Sequence, residues 1–217
     1  MKKFFSVLIF VFSSGILFAQ PFKEDILKFK YQDSISFPPK NCILFVGSSS
    51  FTKWTFLQES FPAYPVVNRG FGGSTLLDVI YYSPQIILPY QPKQIIIYCG
   101  ENDIALSDTV TAKTVFERFK TLFFLIRKKM PRVEIDYVSI KPSPSRWKKY
   151  GWTMMQANQL IEGFLNYYPR TKFINVFNAM LKDDGSVRDD IFVSDSLHMN
   201  KDGYAIWTKI IEPYLKK

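Results

Sequence analysis

The single histidine of the 217-residue sequence, His198, follows Asp195 near the C-terminus. Imidazole is the side chain best suited to proton transfer near neutral pH, and a nearby carboxylate can fix its tautomer and orient its ring. A lone histidine is also a common structural residue, so the pair does not by itself establish chemistry. If histidine acts as a general acid–base in this protein, His198 is the one candidate.

A candidate nucleophile follows the first strand-like run, in the segment Gly47-Ser48-Ser49-Ser50, where a helix is expected to begin near Phe51. A serine at a strand-to-helix turn has its hydroxyl lifted off the sheet and lies close to the positive end of the helix. The alternative interpretation is a helix N-cap in a glycine turn. The consecutive serines leave open which hydroxyl would react.

Two further loops offer hydrogen-bond donors for an oxyanion. Gly70, Gly72 and Gly73 follow the second strand-like run, and Asn102 follows the third. A glycine loop lets backbone N–H groups approach a ligand, and an asparagine amide can donate to a developing negative charge. The glycine spacing fits neither a P-loop nor a dinucleotide fingerprint. Asn102-Asp103 can alternatively be read as an ordinary turn.

The apolar patterning predicts the elements that must position these loops. Short β-branched runs predict five strands, and apolar residues at spacings of three and four predict helices between them. This alternation predicts a three-layer α/β/α sandwich with a mostly parallel five-stranded sheet, whose functional loops follow the strands. The predicted strands are Cys42–Val46, Val66–Asn68, Gln94–Cys99, Val133–Ser139 and Lys172–Val176, and the predicted helices are Ser74–Leu88, Thr111–Lys129, Met154–Tyr168 and Lys201–Leu215. Residues 141–152 are expected to form a solvated loop on the same side, where tryptophan and basic side chains could contact a sugar or an acidic lipid head.

In four separated blocks the sequence resembles the SGNH hydrolases, also called GDSL esterases/lipases. The resemblance implies a flavodoxin-like fold and ester hydrolysis without a metal or other cofactor. It also implies that Ser49 is the nucleophile, that Asp195 and His198 complete a triad, and that the N–H groups of Ser49 and Gly73 and the Asn102 amide form the oxyanion hole. Ser48 stands where the family has aspartate, a variant similar to platelet-activating-factor acetylhydrolases, and Ser48 and Ser50 remain lesser candidates for the nucleophile. The blocks are residues 45–50, 70–75, 100–103 and 195–198.

The N-terminus is typical of a secretory signal peptide. Lys2 and Lys3 precede an apolar stretch over residues 4–18, and Ala19 offers a cleavage site, although an uncleaved anchor is the alternative. We therefore expect a signal peptide over residues 1–19, one hydrolase domain over residues 20–217, no membrane span after cleavage, and a periplasmic or secreted location.

The net charge and the two cysteines bear on nucleic-acid binding, disulfide formation and metal binding. The net charge is +9, or +7 without Lys2 and Lys3, but the basic residues are scattered, which argues against nucleic-acid binding. Cys42 and Cys99 fall in apolar strand-like runs and are expected to be buried thiols rather than a disulfide, and the sequence has no Cys/His cluster for a metal. The oligomeric state stays open.

The sequence therefore predicts an exported serine ester hydrolase that acts on acetyl or short acyl esters of a glycan or lipid. Two alternatives remain. The first is a non-catalytic carbohydrate- or lipid-binding module on the same fold. The second is a glycan O-acyltransferase, which would use the same residues with an alcohol in place of water.

Overall fold

A five-stranded sheet forms the centre of the molecule, and every pair of neighbouring strands is parallel. The computed structural model describes residues 21–217, so the signal peptide expected over residues 1–19 lies outside the described part. The strand order is β2-β1-β3-β4-β5. The strands are β1 Ile43–Gly47, β2 Val66–Gly70, β3 Gln94–Tyr98, β4 Glu134–Val138 and β5 Thr171–Ile174.

Helices connect the strands and cover both faces of the sheet, so the predicted α/β/α fold with its parallel sheet is confirmed. Short 3-10 turns follow β5 and α8 at Asn178–Met180 and Glu212–Tyr214. The helices are α1 Lys23–Ile35, α2 Ser49–Thr52, α3 Leu57–Ser60, α4 Leu76–Ile86, α5 Glu101–Leu106, α6 Ala112–Lys129, α7 Pro144–Leu165 and α8 Lys201–Ile211.

Strand β1 shows why these apolar runs form a sheet buried on both sides. Successive side chains of a strand point to opposite faces. Leu44 and Val46 accordingly join one apolar core, which α4, α6 and α7 complete. Ile43 and Phe45 join the other core, where Trp207 of α8 is fully buried. With a core on each side, every residue of β1 is buried, as is typical of parallel sheets.

The strand bounds differ from the predicted ones by at most two residues, but several helical regions depart further, and α8 ends at Ile211 instead of Leu215. The predicted loop over residues 141–152 is wrong, because α7 begins at Pro144 and not near Met154. Proline is well suited to the first turn of a helix, where its missing N–H has no intrahelical partner. The sequence does not predict helix α1, because its one buried residue is Ile26 and its apolar residues form no clear stripe.

Both cysteines are free thiols buried in the apolar core, as the sequence predicts. Burial raises the pKa of the Cys99 thiol well above its usual value, which keeps this group neutral. Among residues 21–217, no helix combines the length and the apolar character that a bilayer crossing requires.

A buried carboxyl group on β4 is expected to make the stability of the fold depend on pH. Asp136 is fully buried, and burial raises its pKa to about 7 although Gln94 donates a hydrogen bond to it over 2.6 Å. The folded state therefore binds this proton more tightly than the unfolded chain, where an aspartate has a pKa of about 4. We expect the protonated Asp136 to stabilise the folded state fully below about pH 4. This stabilisation is lost as the pH rises through about 7, and the free energy of unfolding then falls by on the order of 4 kcal/mol.

Replacement of Asp136 by asparagine keeps the shape of the side chain and removes its titration. We expect Asp136→Asn to unfold in denaturant with a smaller decline between pH 4 and pH 8, and to be more stable than the wild type at pH 8. Asp183→Asn, an exposed substitution of the same kind, is the matched control. An Asp136→Asn profile parallel to that of the wild type would contradict the expectation.

Candidate active site

The parallel register brings the candidate loops to one edge of the sheet. Gly47, the last residue of β1, is paired with Gly70 of β2 on one side and with Tyr98 of β3 on the other. The loops that follow the three strands therefore begin side by side. Backbone hydrogen bonds fix their first residues, from Ser48 N–H to the Tyr98 carbonyl over 3.0 Å and from Phe71 N–H to the Gly47 carbonyl over 2.9 Å.

Glycine is required at position 47. Its φ of +146° lies in a region that side chains rarely adopt, and a Cβ placed there would lie 1.8 Å from the Tyr98 carbonyl oxygen. A close approach of two backbones is a recurrent use of glycine. The close packing of the two backbones fixes the point at which the chain leaves β1. It therefore also fixes the position of Ser49, the first residue of helix α2.

Ser49, His198 and Asp195 form a continuous chain of hydrogen bonds. Ser49 Oγ lies 3.0 Å from His198 Nε2, and His198 Nδ1 lies 2.6 Å from Asp195 Oδ2. The serine and the histidine are 149 residues apart in the sequence and meet because the last loop reaches the same sheet edge. The arrangement is that of a nucleophile with its base, and of a base with the carboxylate that orients it.

The loop that carries Asp195 and His198 is a tight turn built on the carboxylate itself. Asp195 Oδ1 accepts hydrogen bonds from the backbone N–H groups of Leu197 over 2.9 Å and His198 over 2.8 Å. Ser196 between them takes a φ of +54°. Loss of some solvation opposes ionisation of Asp195, but the hydrogen bonds from His198 and Leu197 outweigh it and hold the pKa of this carboxyl well below its usual range. Asp195 therefore stays ionised beside the imidazole.

Of the three consecutive serines, Ser49 is the one whose hydroxyl meets His198. Ser48 and Ser50 are 2% and 3% exposed, whereas Ser49 is half-buried and reaches the surface. The backbone carbonyl of Ser50 accepts a hydrogen bond from the Tyr204 hydroxyl over 2.9 Å, which ties α2 to α8. The geometry therefore favours Ser49 over its two neighbours.

Besides the Ser49 N–H, the expected oxyanion donors are on the segments that follow β2 and β3. Gly73 has a φ of +83° and is exposed, and a Cβ built on the preceding Gly72 would lie 4.0 Å from Ser49 Cβ. Among residues 21–217, the backbone N–H groups of Ser49 and Gly73 have no hydrogen-bond acceptor. Asn102 Nδ2 donates one hydrogen bond to the Ser74 carbonyl over 3.0 Å, and an amide nitrogen carries a second hydrogen.

A buried group of charged residues borders Asn102, and sequence analysis did not identify it. Glu101 accepts hydrogen bonds from Lys141 Nζ over 3.0 Å, from Ser143 Oγ over 3.1 Å and from the Tyr98 hydroxyl over 2.7 Å. Arg146 Nη1 lies 3.3 Å from the same carboxylate. Lys141 and Arg146 belong to the basic segment that was predicted to be a solvated loop. Nothing in the sequence pattern indicates that these two side chains are buried. The segment between β4 and α7 turns Lys141 inward, and the first turn of α7 does the same for Arg146.

Asp103, the last residue of the third block, makes contacts that hold helices together. Its carboxylate accepts hydrogen bonds from the Leu76 N–H over 2.9 Å and from Arg118 over 2.7 Å, which fastens α5 to the start of α4 and to α6. In the described part of the chain, no group of three or more His, Cys, Asp or Glu side chains is arranged to hold a metal ion.

Comparisons with known proteins agree with the fold. The family model described as GDSL-like Lipase/Acylhydrolase matches residues 33–206, most of the chain. Platelet-activating factor acetylhydrolase IB subunit alpha1 of Rattus norvegicus is 24% identical over 149 residues, which are 68% of this chain and 62% of the rat protein. The chain thus matches less than two thirds of the length of this curated relative.

Two solved structures show the same fold. A Streptococcus pneumonia structure described as a platelet activating factor superposes with a TM-score of 0.77 at 23% identity, covering 89% of this chain and 92% of the other. A GDSL-like lipase from Bacteroides thetaiotaomicron superposes with a TM-score of 0.75 at 16% identity, covering 87% of this chain and 96% of the other. At these identities the two structures are evidence for the fold alone.

The close approach at Gly47 predicts a large loss of stability on adding a single methyl group. In Gly47→Ala the new Cβ overlaps the Tyr98 carbonyl, so β1 and β3 must separate, and we expect a loss of several kcal/mol in the free energy of unfolding measured in denaturant. Gly163→Ala is the control, because a Cβ there has no atom within 4 Å and alanine favours the helix. Equal stability of the two variants would contradict this account of Gly47.

Proposed function

The chain belongs to the GDSL-like lipase/acylhydrolase family, and we propose that it is a serine ester hydrolase with Ser49 as its nucleophile. The observation that carries the proposal is the hydrogen-bonded chain from Ser49 Oγ through His198 to Asp195. This chain supplies a nucleophile, a general base and an ionised carboxylate in the order that acyl transfer requires.

In the acylation step, Ser49 Oγ forms a bond to the carbonyl carbon of the ester while His198 Nε2 takes the hydroxyl proton. The carbonyl π electrons move to the oxygen, which becomes the oxyanion of a tetrahedral intermediate. Collapse of this intermediate re-forms the carbonyl and breaks the bond to the alcohol oxygen, which receives the proton from His198. The products of this half-reaction are the free alcohol and an acyl-Ser49 ester.

Deacylation repeats the sequence with water in place of Ser49. His198 removes a proton from the water as its oxygen attacks the acyl carbon, and then returns the proton to Ser49 Oγ as the carboxylic acid leaves. In both steps Asp195 accepts a hydrogen bond from His198 Nδ1–H, which holds the ring in the required tautomer and stabilises the imidazolium. Asp195 can do this throughout because it remains ionised.

The oxyanion is proposed to bind between three donors, the backbone N–H groups of Ser49 and Gly73 and the second N–H of Asn102 Nδ2. Removal of one such donor typically costs on the order of 3 kcal/mol of transition-state stabilisation. The support for this assignment is that both backbone groups lack an acceptor among residues 21–217 and that Asn102 lies in the first turn of α5, the helix that follows β3.

For the substrate, we propose acetyl or short acyl esters whose alcohol part is a glycan or a lipid. The rat relative is named an acetylhydrolase, which supports a small acyl group. The half-buried Ser49 beside Gly72 and Gly73 also lies at the surface, so a large alcohol can remain in solvent while the acyl carbon reaches the hydroxyl.

Ser49→Ala removes the hydroxyl that attacks the ester and leaves the fold in place. We expect the kcat of this variant for p-nitrophenyl acetate to fall by at least about 10³-fold, measured as the initial rate of nitrophenolate release. In the wild type, kcat/KM is expected to be higher for the acetyl than for the palmitoyl ester.

Ser48→Ala and Ser50→Ala are the matched controls, since they alter adjacent buried hydroxyls on the same turn. Both are expected to retain activity within about tenfold of the wild type, well above the Ser49 variant. Full activity in Ser49→Ala, or loss of activity in a neighbouring variant alone, would move the nucleophile elsewhere. An inactive wild type would favour the non-catalytic module.

Export is a further part of the proposal, supported by Lys2 and Lys3 before the apolar stretch of residues 4–18. We expect the exported protein to begin at Gln20, as measured by mass spectrometry of the N-terminal peptide. The variant Leu8→Glu interrupts the apolar stretch and should leave uncleaved protein inside the cell. A wild-type protein that keeps Met1 and stays in the cell would contradict export.

A further inference from the structure

The first turn of helix α7 places a guanidinium against the side chain of Asn102. Arg146 Nη1 donates a hydrogen bond to Asn102 Oδ1 over 3.1 Å. On its other side the same amide donates from Nδ2 to the Ser74 carbonyl over 3.0 Å. The Arg146 side chain is only 19% exposed, so this contact is largely shielded from solvent.

The two hydrogen bonds together select one orientation of the Asn102 amide. Arginine carries donors only and a carbonyl oxygen accepts only. If the amide were rotated by 180°, Nδ2 would face the donors of Arg146, and Oδ1 would face the Ser74 carbonyl oxygen. Both contacts would then be repulsive. The guanidinium therefore fixes on which side of the amide the nitrogen lies.

We propose that Arg146 is a positioning residue of the oxyanion hole, which orients and polarises the Asn102 amide. The inference rests on the proposed function, in which Asn102 donates to the oxyanion. A hydrogen bond to the amide oxygen draws electron density from the nitrogen, so the remaining N–H becomes a stronger donor. A donor that is already oriented also requires no reorganisation as negative charge develops.

Arg146 also lies 3.3 Å from Glu101, a carboxylate that is already paired with Lys141. Lys141 is 1% exposed and lies 3.0 Å from Glu101, so these two buried charges cancel. Burial opposes ionisation of Glu101, but Lys141 and Arg146 outweigh it and keep the pKa of this carboxyl below its usual value. The charges of Glu101, Lys141 and Arg146 sum to one positive charge, and Arg146 Nη1 contacts both the Glu101 carboxylate over 3.3 Å and Asn102 Oδ1 over 3.1 Å.

The same helix turn is also linked to the loop of the proposed base. The Ser145 N–H donates to the Ser196 carbonyl over 3.0 Å, and Ser196 lies between Asp195 and His198. The first turn of α7 thus contacts both the proposed oxyanion donor and the loop that carries the proposed base. Arg146 is the side chain through which this turn reaches Asn102.

A double-mutant cycle tests whether Arg146 acts through Asn102. The substrate is p-nitrophenyl acetate, which is neutral and offers no anion for Arg146 to bind. We expect Arg146→Gln to lower kcat by about 10- to 100-fold, less than loss of a whole oxyanion donor, and to change KM by less than about threefold. In the Asn102→Ala background the same substitution is expected to change kcat by less than about threefold, because its target is gone.

Two further variants serve as controls for charge and folding. Arg146→Lys keeps the positive charge and is expected to recover part of the lost kcat. Lys148→Gln removes an exposed positive charge two positions along the chain and should leave kcat unchanged. Wild-type kcat in Arg146→Gln, or an equal loss with and without Asn102, would overturn the proposal.

A readout independent of activity separates this proposal from the proposed function. The side-chain NH₂ signals of Asn102 in ¹⁵N-labelled protein are identified by their loss in Asn102→Ala. Arg146→Gln should shift or broaden these signals, whereas Lys148→Gln should leave them in place. If the wild type hydrolyses no ester but the signals respond, the proposed function fails and the positioning of Asn102 stands. Signals that do not respond to Arg146→Gln overturn the positioning in an active or an inactive protein.

Discussion

The close approach of β1 to β3 at Gly47 is the constraint on which the site depends. The Gly47 backbone lies where any Cβ would meet the Tyr98 carbonyl, and this contact keeps the ends of the two strands level. The loop bearing Ser49 therefore begins beside the loop bearing Asn102. Because the sheet is parallel and buried on both faces, the polar side chains that follow its strands gather at one edge.

The loops that gather at this edge place groups of opposite charge on two sides of the site. On one side, Asp195 is kept ionised by the hydrogen bonds of its own turn and can support a positive imidazole at His198. On the other side, the group that contains Glu101 and Arg146 has one positive charge in excess and borders the Asn102 amide. The negative carboxylate thus stands behind the proposed base, and the positive group behind the proposed oxyanion donor. This separation suits a reaction in which a proton moves to the base while negative charge develops on a carbonyl oxygen.

The sequence was sufficient to predict the sheet and the residues that meet at its edge, but not the groups that support them. The strands were predictable because both faces are buried, which leaves uninterrupted apolar runs such as Ile43–Val46. Helix α1 buries too little for its pattern to show. The start of α7 was missed because its prolines and basic residues are typical of loops, whereas tertiary contacts turn Arg146 inward. Charge in a sequence predicts exposure, and a buried ion pair such as Lys141 with Glu101 is the case in which that inference fails.

The proposed chemistry depends on the Ser49 hydroxyl as the group that attacks an ester carbonyl. The most direct measurement is reaction of the purified protein with a fluorophosphonate, followed by peptide mapping in a mass spectrometer. We expect a single phosphonylated residue, Ser49, and no adduct in protein unfolded before the reagent is added, because activation depends on the hydrogen bond to His198. An adduct on Ser48, Ser50 or another residue, or no adduct on the folded protein, would contradict this expectation.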